Sequence, residues 1–309
     1  MATNYFIPQV WSAKILEALD KELVYAGLFN TDYEGEIAEA GDTVHIAQVG
    51  DVTIKDFKCD TDIAAPDDVK VEDLTLEIDQ SKYFNISVCD VNEVQSKISL
   101  LDTATQRAGY GFADVCDKYL GSLLATSGTV KDGLGAKATP ITITADNAYE
   151  TLVKMKTALD KANLPKQERK VVVPPEFEGF MLLDPRFVAV PVDASQDRLT
   201  EGTVYRAAGF EIRTSNNVPS ETDGGSGSTT VFSIVGSSPI QGTFAQQILK
   251  TEAYRPEKRF ADAVKGLHVY GAKVLRPQVV AVATVAFLQG SSLAQPRRKS
   301  ALPRSGQPR

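Results

Sequence analysis

Residues 99–128 read SLLDTATQRAGYGFADVCDKYLGSLLATSG. Apolar or small side chains recur at Leu101, Ala104, Ala108, Phe112, Val115, Cys116, Tyr119, Leu120, Leu123 and Leu124, the i, i+3, i+4, i+7 spacing that lines one face of an α-helix. Ser99, with Asp102 three residues on, can accept from free N-terminal amides, and Gly128 can supply a left-handed turn at the other end. At a 1.5 Å rise per residue the helix would be roughly 40 Å long. It joins two unlike halves, strand-like and acidic before it, alternating helices and strands after it.

Towards the N-terminus, residues 42–57 and 69–91 contain alternating stretches such as TVHIA at 43–47 and LTLEI at 74–78, the period of a half-buried strand. Between them, residues 59–68 carry Asp60, Asp62, Pro66, Asp67 and Asp68, a polar tip. The two runs predict one long two-stranded hairpin, which is marginal alone in water and needs a second surface, such as another copy of the chain. Residues 9–26 predict a helix with Trp11, Ile15, Ala18, Leu19 and Leu23 on one side and Gly27 as its stop. Its apolar face must dock on its own domain or on a neighbouring subunit, and Trp11 suits either an interface anchor or a core.

Beyond residue 128 comes a loop to 138, then a helix over 146–163 with Ala148, Leu152, Met155, Leu159 and Ala162 at helical spacing, stopped by Pro165. A short buried strand at 170–174 leads into a helix through Glu176, Phe180 and Leu183 that ends at Asp184-Pro185. Residues 202–215 predict two strands around Gly209, and 229–235 another. The intervening ETDGGSGS at 221–228 predicts an exposed loop with nothing to pack. Residues 245–254 and 266–287 alternate as strands on either side of a short amphipathic piece at 256–264, and 289–309 is a Pro-, Ser- and Arg-rich tail expected to be disordered.

The chain has 309 residues and a net charge of −7. That length can bury a real core, and that charge opposes a main task of coating nucleic acid, which needs a basic face. The longest apolar run, 279–288, is about half of a membrane-spanning helix, and the N-terminal MATNYF has neither the basic nor the apolar region of a secretory signal. Cys59, Cys89 and Cys116 are too few and scattered for a disulfide framework.

No catalytic constellation emerges, so neither catalytic, cofactor nor metal residues are assigned. Residues 128–133 have P-loop glycine spacing, but Leu134 stands where the phosphate-contacting lysine belongs. Residues 133–138 imitate a dinucleotide fingerprint, yet Thr139-Pro140 follows in place of the required helix. His45 and His268 lie in separate strand-like runs without a second ligand at metal spacing. The adjacent acids Asp67/Asp68 and Glu72/Asp73 suit a solvated face better than a cation site, and Cys116 falls on the core face of the long helix. The residues argue against an enzyme.

Three runs carry a resemblance: VVVPPEFEGFMLLDPRF at 171–187, GFEIRTSNNVP at 209–219 and GLHVYGAKVLRP at 266–277. With FIPQVWSAK at 6–14, YEGEI at 33–37 and GDTV at 41–44, they make the chain similar, in the same order from about residue 5 to 288, to the tailed-bacteriophage major capsid proteins. Several matches in one order outweigh any one short motif. The resemblance implies an α+β chain of the Hong Kong 97-type capsid fold. Its parts would be an N-terminal arm at 1–32, an extended hairpin or E-loop at 33–95, the spine helix and following loop of a P-domain at 96–138, an A-domain at 139–245, returning P-domain strands at 246–288 and a basic tail at 289–309. The implied function is a self-assembling subunit of an icosahedral head enclosing double-stranded DNA without sequence-specific binding. An encapsulin-like shell enclosing cargo enzymes is the alternative. The expected partners are further copies in hexamers and pentamers, with scaffolding, portal and decoration proteins and no membrane. Because no cleavable segment precedes the arm, scaffolding would come from a separate protein or be dispensed with. The expected location is the virion capsid, assembled in the bacterial host cytoplasm.

Charge is unevenly spread. Residues 51–79 hold ten acids against three lysines, whereas 248–276 hold seven bases against three acids. In the resembled fold the E-loop lies across a neighbour's P-domain, so the acidic hairpin (Asp60, Asp62, Asp67, Asp68, Glu72, Asp73) is expected to dock on the basic surface (Arg255, Lys258, Arg259, Lys265) of the adjacent copy. The competing expectation is two solvated faces.

Overall fold

The computed structural model describes residues 23–32, 43–49, 54, 68, 71–89, 100–184, 206–222, 230–258 and 260–287. Helix α1 spans Leu100–Ser127, as its periodicity requires. Phe112, Cys116, Leu120 and Leu124 form its buried stripe, each full burial of a leucine being worth about 1.5–3 kcal/mol. Val115 was expected on that stripe but is 42% exposed, because the stripe advances through 112, 116 and 120, leaving position 115 on its outer edge. Ser99 lies outside the described residues. Gly128 does not adopt the expected left-handed conformation, since the described glycines with positive φ are Gly133, Gly135 and Gly209. Its small size matters instead: a Cβ there would stand 2.5 Å from Val282 Cγ2, so the chain leaves α1 pressed against a strand.

Two sheets meet at α1. The larger is seven-stranded, ordered β4 (Ile141–Ile143), β12 (Ala281–Phe287), β9 (Thr230–Ser237), β5 (Lys170–Val173), β7 (Phe210–Thr214) and β6 (Arg206–Ala207), with β8 (Ser220–Thr222) also paired to β9. Alternate side chains of its central strands enter opposite cores, as the two-residue period dictates. Val171, Val173, Ile234, Ala281, Ala283 and Val285 pack with Leu152, Met155 and Leu159 of α2 (Ala148–Lys161) and Phe177 and Met181 of α3 (Pro175–Leu183). Val172, Val235 and Val282 face the other way, onto Cys116, Leu120 and Leu124 of α1. The apolar spacing read for α2 is thus its core face, and the buried strand at 170–173 is buried on both sides. Gly209, at φ 83°, turns β6 into β7.

The smaller sheet is ordered β10 (Gly242–Tyr254), β11 (Ala261–Val274) and β3 (Gln80–Cys89), all antiparallel. The middle of α1 lies on one face of it, Phe112 meeting Phe84 at 5.5 Å and His268 at 5.2 Å, and Tyr119 meeting Tyr270 edge-on at 5.5 Å. On its other face sits the two-stranded pair β1 (Thr43–Val49) and β2 (Val71–Glu77), with Val44, Ile46, Leu76 and Ile78 against Ala245 and Val269.

Four expectations change. The run 69–91 is not one arm of a hairpin: β2 pairs with β1, and after Ile78 and Asp79 the chain crosses to β11 as β3. The region 256–264 is not a separate amphipathic piece, since β11 already begins at Ala261. Glu221 and Thr222 are not loop but pair with Val231 and Thr230, while the rest of that loop lies outside the described residues. The helix over 9–26 lies largely outside them too, and its described end is a 3-10 turn, Tyr25–Leu28, that runs through the expected stop at Gly27.

Candidate functional site

The expected interface residues divide between the hairpin and the far end of the small sheet. Asp68 is exposed, and Glu72 and Asp73 lie on β2. Asp60, Asp62, Asp67 and Arg259 are outside the described residues. Asp73 Oδ2 is 2.8 Å from His45 Nδ1 across the hairpin, both side chains being well exposed. Arg255, Lys258 and Lys265 gather around the β10–β11 connection. Arg255 Nε pairs with Asp262 Oδ1 at 2.8 Å and Lys265 Nζ with Glu252 Oε2 at 2.7 Å, and the same ammonium lies 5.5 Å from the centre of the Tyr254 ring. Two of the expected docking bases therefore already hold acids of their own sheet, which lowers the free positive charge available to a neighbour.

Sequence periodicity did not single out the exposed aromatic side chains of the same sheet. Tyr83 on the edge strand β3 is 80% exposed, Phe260 at the β10–β11 connection is 87% exposed, and Tyr254 is partly exposed, its hydroxyl 3.0 Å from Asn85 Oδ1. Large apolar side chains left in solvent on one sheet are surface that a partner can cover. Their signal in the sequence was only their position in alternating runs, which does not say which face is covered.

The remaining candidates resolve into structural roles. His268 is fully buried between Phe112 and Tyr270, and burial lowers its pKa to about 4, so it is neutral at pH 7. Cys116 is a buried free thiol whose pKa is driven up by burial and by neighbouring Asp117, the inert condition of a core cysteine. Cys89 ends β3, and Trp11 and Cys59 lie outside the described residues. Among the described residues no group of three His, Cys, Asp or Glu side chains is placed to hold a metal ion, and no helix is long and apolar enough to cross a membrane. Residues 128–138 form the loop before β4, with Gly133 and Gly135 at positive φ.

Comparison with known proteins gives the family. A protein from Mycobacterium phage Che8 is 29% identical, with a TM-score of 0.67 over 86% of this chain and 91% of that one. The capsid structure of cyanophage P-SCSP1u, 16% identical, aligns with a TM-score of 0.58 over 81% of this chain and 84% of its own. A virus-like particle from Pyrococcus furiosus, 12% identical, aligns with a TM-score of 0.51 over 91% and 99%; these last two likenesses concern the fold alone. A search of curated proteins finds no match. The profile of the phage capsid protein family matches residues 73–283, most of the chain, and the chain therefore belongs to the phage capsid protein family, as a structural subunit and not an enzyme.

Proposed function

We propose that the chain is the major subunit of the icosahedral head of a tailed double-stranded DNA phage, in which hexamers and pentamers close around the packaged genome. The likeness to the Che8 protein, along nearly the whole length of both chains, carries this reading. In Hong Kong 97-type terms, residues 1–32 are the N-terminal arm and 33–95 the E-loop, whose described base is the β1–β2 pair. Helix α1 is the spine of the P-domain, within 96–138. Residues 139–245 are the A-domain, which holds α2, α3 and most of the large sheet, and 246–288 return to the P-domain. The small sheet with its exposed aromatics supports this assignment, because a subunit built to be covered by neighbours carries apolar surface that it cannot bury alone. Scaffolding, portal and decoration proteins are the further partners, and assembly takes place in the host cytoplasm.

At the subunit contact, the acids of the hairpin (Asp60, Asp62, Asp67, Asp68, Glu72, Asp73) dock on the basic end of a neighbour's small sheet, with Lys258 and Arg259 as the main attracting charges, since Arg255 and Lys265 already hold Asp262 and Glu252. The test is electron microscopy of the purified protein. Closed shells of hexamers and pentamers support the reading, and a protein that stays monomeric at every salt and concentration, with or without a scaffolding partner, contradicts it. Neighbouring genes separate the phage head from a cargo-enclosing shell: portal and terminase genes support the first, a peroxidase or ferritin-like gene the second.

A further inference from the structure

The N-terminal segment 23–30 lies in a slot built by distant parts of the chain. Asp117 sits on the buried face of α1 and is 1% exposed. Its Oδ1 accepts from the backbone N–H groups of Val24, at 3.0 Å, and Tyr25, at 2.7 Å. Its Oδ2 is 3.4 Å from both Ser215 Oγ and Asn217 Nδ2, in the turn after β7. One helical turn on, Gly121 leaves the helix surface bare under the Tyr25 ring, where a Cβ would stand 3.1 Å from Tyr25 Cε2 and Cζ. Further along the segment, Lys170 Nζ donates to Gly27 O at 2.9 Å and Gln241 Nε2 to Leu28 O at 2.8 Å. Asn30 O then accepts from Phe244 N at 2.9 Å. Tyr25 and Leu28 are fully buried.

A carboxylate at this place is costly. Burial raises the pKa of Asp117 against the opposing pull of its hydrogen-bond donors, and an apolar side chain between Cys116 and Leu120 would avoid that penalty. Nothing in the middle of a helix calls for an acid. What the acid satisfies is the pair of adjacent amides at Val24 and Tyr25, at the entry to a single 3-10 turn that offers them no internal acceptor. The bare notch at Gly121 one turn away serves the same segment, so the two positions form one seat.

We propose that Asp117, with Gly121, is a latch that seats residues 23–30 on α1 and thereby fixes the root of the N-terminal arm; Asp117 is a positioning residue for assembly. The first part stands on the geometry alone, and the second rests on the capsid reading.

Hydrogen–deuterium exchange of the intact protein tests the seat, and electron microscopy of the same samples tests its consequence. Asp117→Asn keeps an oxygen for both amides, and native-like exchange and native shells are expected. Asp117→Leu removes the acceptor, and exchange across 23–30 should rise by about tenfold, the worth of a lost hydrogen bond, with 148–161 unchanged and closed shells lost. Gly121→Leu reaches the same state by filling the place of the Tyr25 ring, so the test does not depend on one variant folding. Unaltered protection of 23–30 in both leucine variants overturns the latch. So does equal loosening of 148–161, which would mark a general packing defect. Local loosening with normal shells overturns the role in assembly. Failure of the unaltered chain to form shells counts against the capsid reading and leaves the exchange result standing.

Discussion

The two larger sheets among the described residues are covered to very different degrees. The seven-stranded sheet has α2 and α3 on one face and α1 on the other, so that Val171, Val172 and Val173 are all buried although they point in alternate directions. The three-stranded sheet also has α1 on one face, but among the described residues its second face carries the β1–β2 pair alone, near one end. Tyr83 and Phe260 are left in solvent, and β3 forms one edge of the sheet. On the proposed capsid reading, the difference separates what a subunit completes by itself from what it leaves for a neighbour to complete. A ten-residue strand with no neighbour on one side among the described residues, carrying an exposed aromatic, is a liability in a monomer and a contact in an assembly.

The largest effect should come from the element both sheets share. Val115→Pro would remove a backbone hydrogen bond and collide with the preceding turn, costing about 3 kcal/mol or more. The half-exposure of Val115 means that the loss would come from the backbone and not from the side chain. Thermal unfolding of the variant should shift sharply downward and particles should vanish, whereas wild-type-like particles would refute α1 as a common support.

Acid should act on one sheet before the other. His268 has an unfolded pKa of 6.5 and a folded one of about 4. The unfolded chain therefore binds the proton more readily, and the stabilisation present above pH 6.5 is lost as pH falls towards 4, by about 3 kcal/mol in total. Denaturant unfolding between those pH values should show this slope, and His268→Phe should flatten it. Exchange should loosen first around β11 and β3, and later around β5 and β9. Loosening in the reverse order would break the comparison.

Smaller still is the effect expected from charge at the β10–β11 connection. Lys258→Glu with Arg259→Glu should leave unfolding unchanged, because exposed pairs contribute about 0–1 kcal/mol each, yet should lower particle yield at low salt. Asp67→Lys with Asp68→Lys in the same chain should restore part of that yield. No loss in the first case, or no rescue in the second, ends the electrostatic docking idea and leaves the capsid family standing. The least effect is expected from a short peptide inserted within 223–228, where particle yield and unfolding should both match the parent. Loss of particles there would make that region an interface.

Much of the large sheet and its helices was legible because each element changes period at its ends: the 3.6-residue spacing of Leu152, Met155 and Leu159 stops at Pro165, and the apolar run at 170–173 follows at once. The small sheet hid its topology. Leu74, Leu76 and Ile78 in and just after β2, and Phe84, Ile86 and Val88 in β3, share one parity, so the two sets read as one strand although Gln80 and Lys82 interrupt the apolar series between them. Asp117 was readable in part, as the one acid on an otherwise apolar helix stripe. Its partners, at residues 24, 25, 215 and 217, are brought to it only by the fold. The docking set follows from charge sign and from the resembled fold, neither of which shows that Arg255 and Lys265 have acids across their own hairpin.

The central claim is that the seven-stranded sheet is finished within the subunit and the three-stranded sheet is finished by neighbours. Hydrogen–deuterium exchange of dissociated subunits against assembled particles measures this directly. Protection should rise on assembly across β1, β2, β3 and the β10–β11 connection, and stay constant across β5, β9 and α2. Equal protection of β3 in both states, or a gain confined to β5 and β9, would contradict it.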